Sequence, residues 1–284
     1  MSRARAHREA WPLVAPAGLV LVVVAAVPML YVVWLSLHDR TVFRPPTFAG
    51  LGNYARLAAD ARFWNALGNT LYFTVVSVAL ELLLGLAIAL LLARAGRLRA
   101  AAYGVMLLPW AVPTVVSARM WEWIYNAELG VLNYLAGARI NWLGDPLLAL
   151  HAAIAMDVWK ATPFVALLLL AALQGIPRDL YRAAAVDGAG PWTTFRRVTL
   201  PLLLPVMLVA VVFRTIDALR VFDAIYVLTG GGPANGTETL SIYAYKILFQ
   251  TLDFGYGSAL AVVVLAVTAV AAAAYARALR GGAE

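Results

Sequence analysis

The chain has 284 residues, of which 63% are hydrophobic and only 13% are charged, with a mean hydropathy of +0.81. Soluble domains carry about 25% charged residues, so lipid must cover much of this chain. The absence of cysteine excludes a disulfide framework, a thiolate metal site and a cysteine nucleophile, and three scattered histidines argue against a histidine-rich metal centre. The net charge of +7 is the topogenic signal of a membrane protein, because basic residues gather at the ends of apolar segments, and no nucleic-acid partner is expected.

Six apolar segments are long enough to cross a bilayer, which requires about 20 residues of helix. They lie at about 13–35, 69–92, 101–124, 147–172, 202–226 and 256–276. The first is too long for the apolar part of a signal peptide, and Tyr31-Val32-Val33-Trp34 occupies the place of small cleavage-site residues, so we expect it to be retained. Basic residues are denser in the segments that an inside N-terminus places in the cytoplasm. The sequence predicts an all-α integral membrane protein, a single domain over 1–284, with both termini cytoplasmic.

The inner segment 177–201 is too polar to span the membrane, yet it carries clear helix signals. Pro177 suits the first turn of a helix, and an alanine run with high helix propensity follows it. Glycine and proline mark the boundaries: a stop at Gly188 or Gly190, a second start at Pro191, and the approach to the next span at Pro201 and Pro205. The pattern predicts two short helices at a bend on the cytoplasmic face.

The small side chains of this segment favour docking to a partner over resting on lipid headgroups. A helix with alanines along one side lets another backbone approach closely. An amphipathic helix lying on the membrane would instead need large apolar residues on its buried face. Both interpretations remain open from the pattern alone, with partner docking favoured.

The same segment resembles the EAA loop of bacterial ABC-importer permeases. Ala183-Ala184, Asp187-Gly188-Ala189 and Leu200-Pro201 match that loop at the spacing of the family, whereas Arg182 stands where the family usually has glutamate. The resemblance implies a type I importer permease fold and a helix that docks on an ATPase. The residues expected to couple to the ATPase are Tyr181, Arg182, Ala183, Ala184, Asp187, Gly188, Ala189, Leu200 and Pro201.

Three other regions resemble the carbohydrate-uptake branch of these permeases, which includes maltose, trehalose and glycerol-phosphate systems. They are Asp157-Val158-Trp159-Lys160 with Thr162-Pro163-Phe164, the run from Arg214 to Pro233, and the outer loop with Phe48 through Tyr54 and Arg62-Phe63-Trp64-Asn65. The resemblance implies that the solute is a sugar, with a disaccharide, an oligosaccharide and a glycerol phosphate all remaining possible.

Charged residues inside the predicted spans are costly and usually face the bundle interior or water. Asp157 and Lys160 are three residues apart and can pair, as can Arg214 and Asp217 on another span. Such a set can line a polar solute path, or it can form ion pairs that only fix packing, and Glu81 is interpreted as a packing or interface group. The candidates for the solute path are Asp157, Trp159, Lys160, Arg214, Asp217, Arg220, Asp223 and Tyr226, although the aromatic ones also suit interfacial belts.

The chain lacks the Gly-x-x-x-x-Gly-Lys-Ser/Thr phosphate loop, so ATP chemistry must come from another protein. The resemblance implies a catalytically inert subunit of a bacterial inner-membrane importer with no cofactor of its own, ATP and magnesium being bound by the ATPase. It also implies a second permease, two ABC ATPase subunits and an external solute-binding protein or lipoprotein as partners. The alternatives are an ion-coupled secondary transporter, which paired inverted repeats would favour, and a membrane-embedded enzyme, which would need a convergent nucleophile and base.

Overall fold

The computed structural model describes residues 15–95 and 99–281, and these residues are mostly helical. Residues 13 and 14 of the first predicted span lie outside the described part of the chain. Five helices are long and apolar enough to cross a membrane, and a bent pair of helices supplies a sixth crossing if it is counted as one span. The predicted all-α membrane architecture is therefore confirmed, while the cytoplasmic location of the termini stays a prediction.

The first half of the chain contains α1 (Ala15–Ser36), β1 (His38–Thr41), β2 (Arg44–Phe48), α2 (Gly52–Ala59), α3 (Ala61–Ala93), α4 (Arg99–Ala111), α5 (Thr114–Ile124) and α6 (Val131–Ala136). The second half contains α7 (Pro146–Gly175), α8 (Arg178–Val186), α9 (Pro191–Ala218), α10 (Asp223–Leu228), α11 (Leu240–Tyr245) and α12 (Phe254–Gly281). A turn of wider π-type helix, Lys246–Thr251, follows α11.

The described residues fall into two units with dense internal contacts. One contains the residues up to Phe63 together with Tyr243–Leu265, and the other contains Trp64–Ile242 together with the residues from Ala266 onward. In the first unit, β1 and β2 form an antiparallel hairpin in which His38 pairs with Phe48, a feature that the sequence did not predict. The interpretation of the whole chain as a single domain stays a prediction.

The core of the second unit is built around α7, the most deeply buried of the long helices. Asp145 caps its start by accepting a hydrogen bond from the Leu148 N–H at 2.9 Å, and Pro146 occupies its first turn. Phe73, Met156 and Ile225 are fully buried there, in one apolar cluster. The helices that carry the charged residues of the spans therefore pack around α7.

The predicted span 101–124 contains a sharp bend, which the sequence did not predict. The structure divides it into α4 and α5, which meet at an angle of 93°. Pro113 causes the break, because it has no N–H for the helix ladder and takes an extended conformation with ψ of 141°. It also disfavours helical geometry at Val112, the residue before it.

The predicted span 202–226 is wrong at both ends. Its helix ends at Ala218, and Asp223–Leu228 forms a separate helix after a turn. In that turn the Arg220 and Val221 N–H groups bond to carbonyls three residues back, at 3.1 Å each, which tightens and ends the helix. The break was not predicted because the apolar composition continues through this stretch.

The second short helix predicted from Pro191 is also wrong, because it continues directly into the span. Pro191–Ala218 is one helix of 28 residues, and Pro201 and Pro205 lie inside it rather than at its beginning. The wider π-type turn Phe195–Thr199 immediately precedes Leu200. Such a turn is compatible with the missing backbone hydrogen bond of a proline, which has no N–H to donate.

Candidate solute cavity and coupling segment

One arginine in the second unit holds three carboxylates. The Arg214 guanidinium in α9 donates two hydrogen bonds to Glu81 of α3, one of them at 2.9 Å. It also donates to Asp157 of α7 at 3.0 Å and to Asp217 of its own helix. The Glu81 side chain is fully buried, and 8% of the Arg214 side chain is exposed, so the ion pair between them joins α3 and α9 away from water.

This network identifies the partner of Glu81, which sequence reasoning had left as a general packing group. A carboxylate that is fully buried in a span requires a cation, and Arg214 supplies it with the bidentate geometry that guanidinium groups favour. The sequence did signal that Glu81 needed a partner. It gave no means of selecting one 133 residues away.

The spacing of Lys160 and Asp157 allows them to pair, but within the described part of the chain Lys160 bonds to other partners. Its Nζ atom donates to the Val112 carbonyl oxygen at 2.5 Å and contacts the Trp110 carbonyl oxygen at 3.5 Å. Asp157 accepts its bond from Arg214 instead. The lysine therefore binds the backbone at the break between α4 and α5.

A cavity of about 790 Å³ lies next to these charges, within the second unit. Six of the predicted solute-path residues line it: Asp157, Lys160, Arg214, Asp217, Arg220 and Asp223. Three are cations and three are carboxylates, so the lining is electrically balanced. Its volume lies within the range of about 300–1,000 Å³ typical of small-molecule sites.

Two predicted aromatic residues do not line this cavity. Trp159 lines a separate, almost entirely apolar cavity of about 670 Å³ and packs edge-on against Trp121, with ring centroids 5.7 Å apart. Tyr226 stacks on Phe222, with centroids 5.2 Å apart, and only Phe222 reaches the cavity wall.

Sequence reasoning missed other aromatic residues that line the polar cavity. Trp110 and Phe164 stack with ring centroids 6.1 Å apart, and Phe213 also lies in the wall. Phe164 belongs to the Thr162-Pro163-Phe164 motif, which could have marked it. Trp110 could not be found in this way, because the bend after Val112 that brings its segment to the cavity was not predicted.

The predicted coupling segment forms a short exposed helix that ends at a left-handed glycine. Tyr181, Arg182, Ala183 and Ala184 lie in α8, Asp187, Gly188 and Ala189 form the turn after it, and Leu200 and Pro201 lie within α9. Gly188 has φ of +71°, which a residue with a side chain adopts only with strain, whereas Gly190 is extended. The Ala189 N–H closes the turn by bonding to the Ala184 carbonyl at 2.9 Å.

Helix α8 buries little of its own surface against the chain. Ala184 is the buried residue of the helix, and the Tyr181 hydroxyl contacts the Thr199 hydroxyl at 3.3 Å, which ties α8 to the beginning of α9. Val186 and Trp192 are 88% and 70% exposed. Arg182, the departure from the EAA pattern, pairs with Asp179 at 3.0 Å on the exposed side of the helix.

Comparison with known proteins identifies the family. Residues 81–280 match the family described as "Binding-protein-dependent transport system inner membrane component". The chain belongs to this family. It is 45% identical to the trehalose/maltose transport system permease protein of Thermococcus litoralis over 264 residues, covering 90% of this chain and 89% of that protein.

Other relatives have the same range of similarity. Identity is 41% with the trehalose transport system permease protein of Mycobacterium tuberculosis, over 95% of this chain and 88% of the relative. It is 39% with the sulfoquinovosyl glycerol transport system permease protein of Agrobacterium fabrum, over 94% of this chain and 89% of the relative. These matches confirm the resemblance to ABC-importer permeases inferred from the EAA-like segment.

Solved structures confirm the fold. A chain of a bacterial ABC transporter that imports the acidic polysaccharide alginate has a TM-score of 0.84 and 24% identity, covering 97% of each chain. A chain of the MetNI methionine ABC transporter has a TM-score of 0.58 and covers 76% of this chain and 94% of that one. The protein is therefore a multi-pass inner-membrane permease with the fold of ABC importers.

Proposed function

We propose that this permease translocates a di- or oligosaccharide, such as trehalose or maltose, as part of an ATP-driven importer. The observation that carries the proposal is the cavity of about 790 Å³ between membrane helices, whose wall combines charged groups with aromatic faces. Sugars bind through hydroxyl groups and apolar ring faces, and this lining offers a partner for each. The similarity to trehalose and maltose transport permeases supports the same class of solute.

The proposed assembly contains a second permease subunit, two ABC ATPase subunits and an external solute-binding protein or lipoprotein. ATP and magnesium bind to the ATPase subunits, and this chain contributes no catalytic residue. A binding protein is supported by the crystal structure of a bacterial alginate ABC transporter in complex with a periplasmic protein that holds an alginate pentasaccharide. Whether the second permease is identical to this chain or different is decided by which chains purify together.

Helix α8 is the proposed contact with the ATPase. The exposed Val186 at its end, together with the exposed Trp192 at the beginning of α9, suits a docking surface that a partner covers. The bond between the Tyr181 and Thr199 hydroxyls connects this helix to α9, which carries Arg214 into the cavity wall. A displacement of α8 by the ATPase would therefore reach the solute cavity through one helix.

Purification of the tagged chain from its own cells, followed by mass spectrometry and reconstitution into proteoliposomes, tests the proposal. We expect an ABC ATPase, a permease partner and a sugar-binding protein to co-purify, and we expect uptake of labelled trehalose or maltose that requires ATP. A chain that purifies alone and moves sugar without ATP would contradict the ATP-driven assembly. An assembly that imports another class of solute would contradict the sugar assignment alone.

The coupling role of α8 has a separate test at Gly188. We expect Gly188→Val to weaken ATPase association and uptake, because a branched side chain is strained at φ of +71° and the turn after α8 would move. Gly190→Val is the matched control, since Gly190 has an ordinary extended backbone. Equal ATPase recovery and uptake in both variants would remove the support for this docking site.

A further inference from the structure

The break between α4 and α5 leaves backbone carbonyl groups without helical partners inside the predicted span 101–124. The last four carbonyls of any helix lack an intrahelical donor, and α4 ends at Ala111, directly before the break. Pro113 adds to the deficit because it has no N–H. Irregular backbone within a membrane is tolerated only where it is buried in protein or lines a water-filled cavity.

Lys160 supplies the missing donor from another helix. Its Nζ atom, carried on α7, lies 2.5 Å from the Val112 carbonyl oxygen and 3.5 Å from that of Trp110. The carbonyl end of a helix carries the negative end of its dipole, so a cation is favoured there. The ammonium and the carbonyls thus satisfy one another in a region where either alone would be costly.

The same lysine also lines the polar cavity, together with Trp110 and Thr114 from the two sides of the break. An ammonium group has three N–H donors, and the contacts with Val112 and Trp110 use at most two of them. The remaining donor is available to a hydroxyl group in the cavity. One side chain therefore connects the occupant of the cavity with the bend in its wall.

We propose that Lys160 is a positioning residue that fixes the bend between α4 and α5 and, through the same ammonium group, makes this bend responsive to a hydroxylated solute. The response to solute rests on the proposed sugar function, whereas the fixing of the bend does not. Because the coupling of two sites is reciprocal, a variant that frees the bend also lowers the affinity of the cavity for solute.

The bend itself can be measured by spin labels, since the chain has no cysteine of its own. Val105→Cys on α4 and Trp123→Cys on α5 place labels at positions that are 68% and 80% exposed. We expect a narrow distance distribution in the assembled importer, a broader one with Lys160→Met, and a narrow one again with Lys160→Arg, which keeps a cation and several donors. Lys246→Met, the same substitution at the other lysine of the chain, is the control and should leave the distribution narrow.

The second readout is the sugar concentration that gives half-maximal uptake. Losing a charged hydrogen bond should raise it by about tenfold in Lys160→Met, with a smaller effect on the maximal rate and recovery in Lys160→Arg. If Lys160→Met does not assemble, Lys160→Gln replaces it, because an amide donates without the charge and should give an intermediate width.

An unchanged distance distribution in Lys160→Met would overturn the proposal, and so would equal broadening in Lys246→Met. The label experiment needs no solute, so it decides the role of Lys160 in the bend even if the wild-type importer moves no sugar. The response of the bend to solute is tested by adding saturating sugar to a wild-type importer that moves sugar and whose bend depends on Lys160. An unchanged distance distribution under these conditions would overturn the proposed response to solute.

Discussion

At the scale of single residues, Arg214 connects three helices of the second unit through ion pairs. Its guanidinium forms ion pairs with Glu81 and Asp157 on two other helices and with Asp217 on its own. From the sequence, a path for solute and a set of packing ion pairs were equally open for Arg214, Asp157 and Asp217, whereas Glu81 was interpreted as a packing or interface group. In the structure the Glu81 side chain is fully buried, whereas that of Asp217 is 68% exposed and lies in the cavity wall. A solute contact at Asp217 stays a prediction.

Replacement of Arg214 should therefore destabilise the protein more than replacement of a neighbouring arginine. Arg214→Met leaves Glu81 and Asp157 without their cation, and breaking a buried pair in this way costs about 3–5 kcal/mol. Arg220→Met is the control, because Arg220, in the turn after α9, lines the same cavity but donates to the Ile216 backbone carbonyl of α9. The measurement is the temperature at which half of the detergent-purified protein is lost from the monodisperse peak in size-exclusion chromatography. Equal temperatures for the two variants would contradict the role of Arg214.

A second residue-scale prediction concerns Asp60, which lies in the first unit just before α3. Burial acts to raise the pKa of Asp60, but hydrogen bonds donated by Tyr243, Tyr256 and the Arg62 N–H outweigh it and lower the pKa overall. On the other side of the bond, burial and the contact with Asp60 raise the pKa of Tyr243 to about 12. A depressed folded-state pKa stabilises the protein above the ordinary pKa of aspartate, about 3.9, and this contribution is lost as the pH falls below it.

We therefore expect hydrogen exchange in the first unit to become faster in the acidic window below about pH 4 in the wild type, beyond the intrinsic change in exchange rate. Asp60→Asn should exchange faster above this window and show little further change within it. Asp39→Asn, at an aspartate of the β1 strand, is the control and should keep the wild-type dependence. A wild-type dependence in Asp60→Asn would mean that the carboxylate does not stabilise this cluster.

At the scale of elements, sequence reasoning located the spans but not their interruptions. Hydropathy identifies a segment that lipid can cover, and the run 101–124 meets that condition whether it is straight or bent. The 93° bend depends on Pro113 and on the Lys160 contact with Val112. Lys160 and Val112 are 48 residues apart, so local composition cannot predict their contact. By contrast, the end of α8 at Gly188 was among the predicted stops, because a left-handed glycine is a local signal.

The crossing of α3 and α7 gives an element-scale prediction at Gly85. A Cβ atom at this position would lie 2.7 Å from Val165 Cγ1 and 3.1 Å from the Ala166 backbone nitrogen. Gly85→Ala should destabilise the protein by about 1–3 kcal/mol through overpacking. Gly104→Ala, in α4, meets nothing within 4 Å and should stabilise by about 0.5–1 kcal/mol, as alanine usually does in a helix.

The melting temperatures of the two alanine variants in detergent provide the measurement. The double variant Gly85→Ala with Val165→Ala should lose less stability than the sum of the two single variants, because the smaller side chain removes the contact with Cγ1. If Gly85→Ala melts at the wild-type temperature or above it, the close approach of the two helices at this point is wrong.

At the scale of the whole molecule, the family could be predicted from one short segment, whereas the site could not. Ala183-Ala184, Asp187-Gly188-Ala189 and Leu200-Pro201 were sufficient for the family, because their spacing is local along the chain. The wall of the cavity combines residues from α4, α5, α7 and α9 and the beginning of α10, and their meeting depends on packing. Six of the eight predicted path residues were nevertheless found there, since charges inside spans have few other places to lie.

The source of energy is the property of the whole assembly that best separates the importer from an ion-coupled transporter. Such a transporter stops when its ion gradient collapses, whereas an ABC importer requires only ATP hydrolysis by its partner subunits. We expect sugar uptake into proteoliposomes with ATP available to the ATPase subunits to continue at the same initial rate after a proton uncoupler and a sodium ionophore are added. Replacing ATP with a non-hydrolysable analogue should abolish uptake. Loss of uptake with the ionophores while ATP hydrolysis continues would contradict the assignment as an ATP-driven importer and favour coupling to an ion. Asp217 and Asp223 in the cavity wall would then be the first carboxylates to replace.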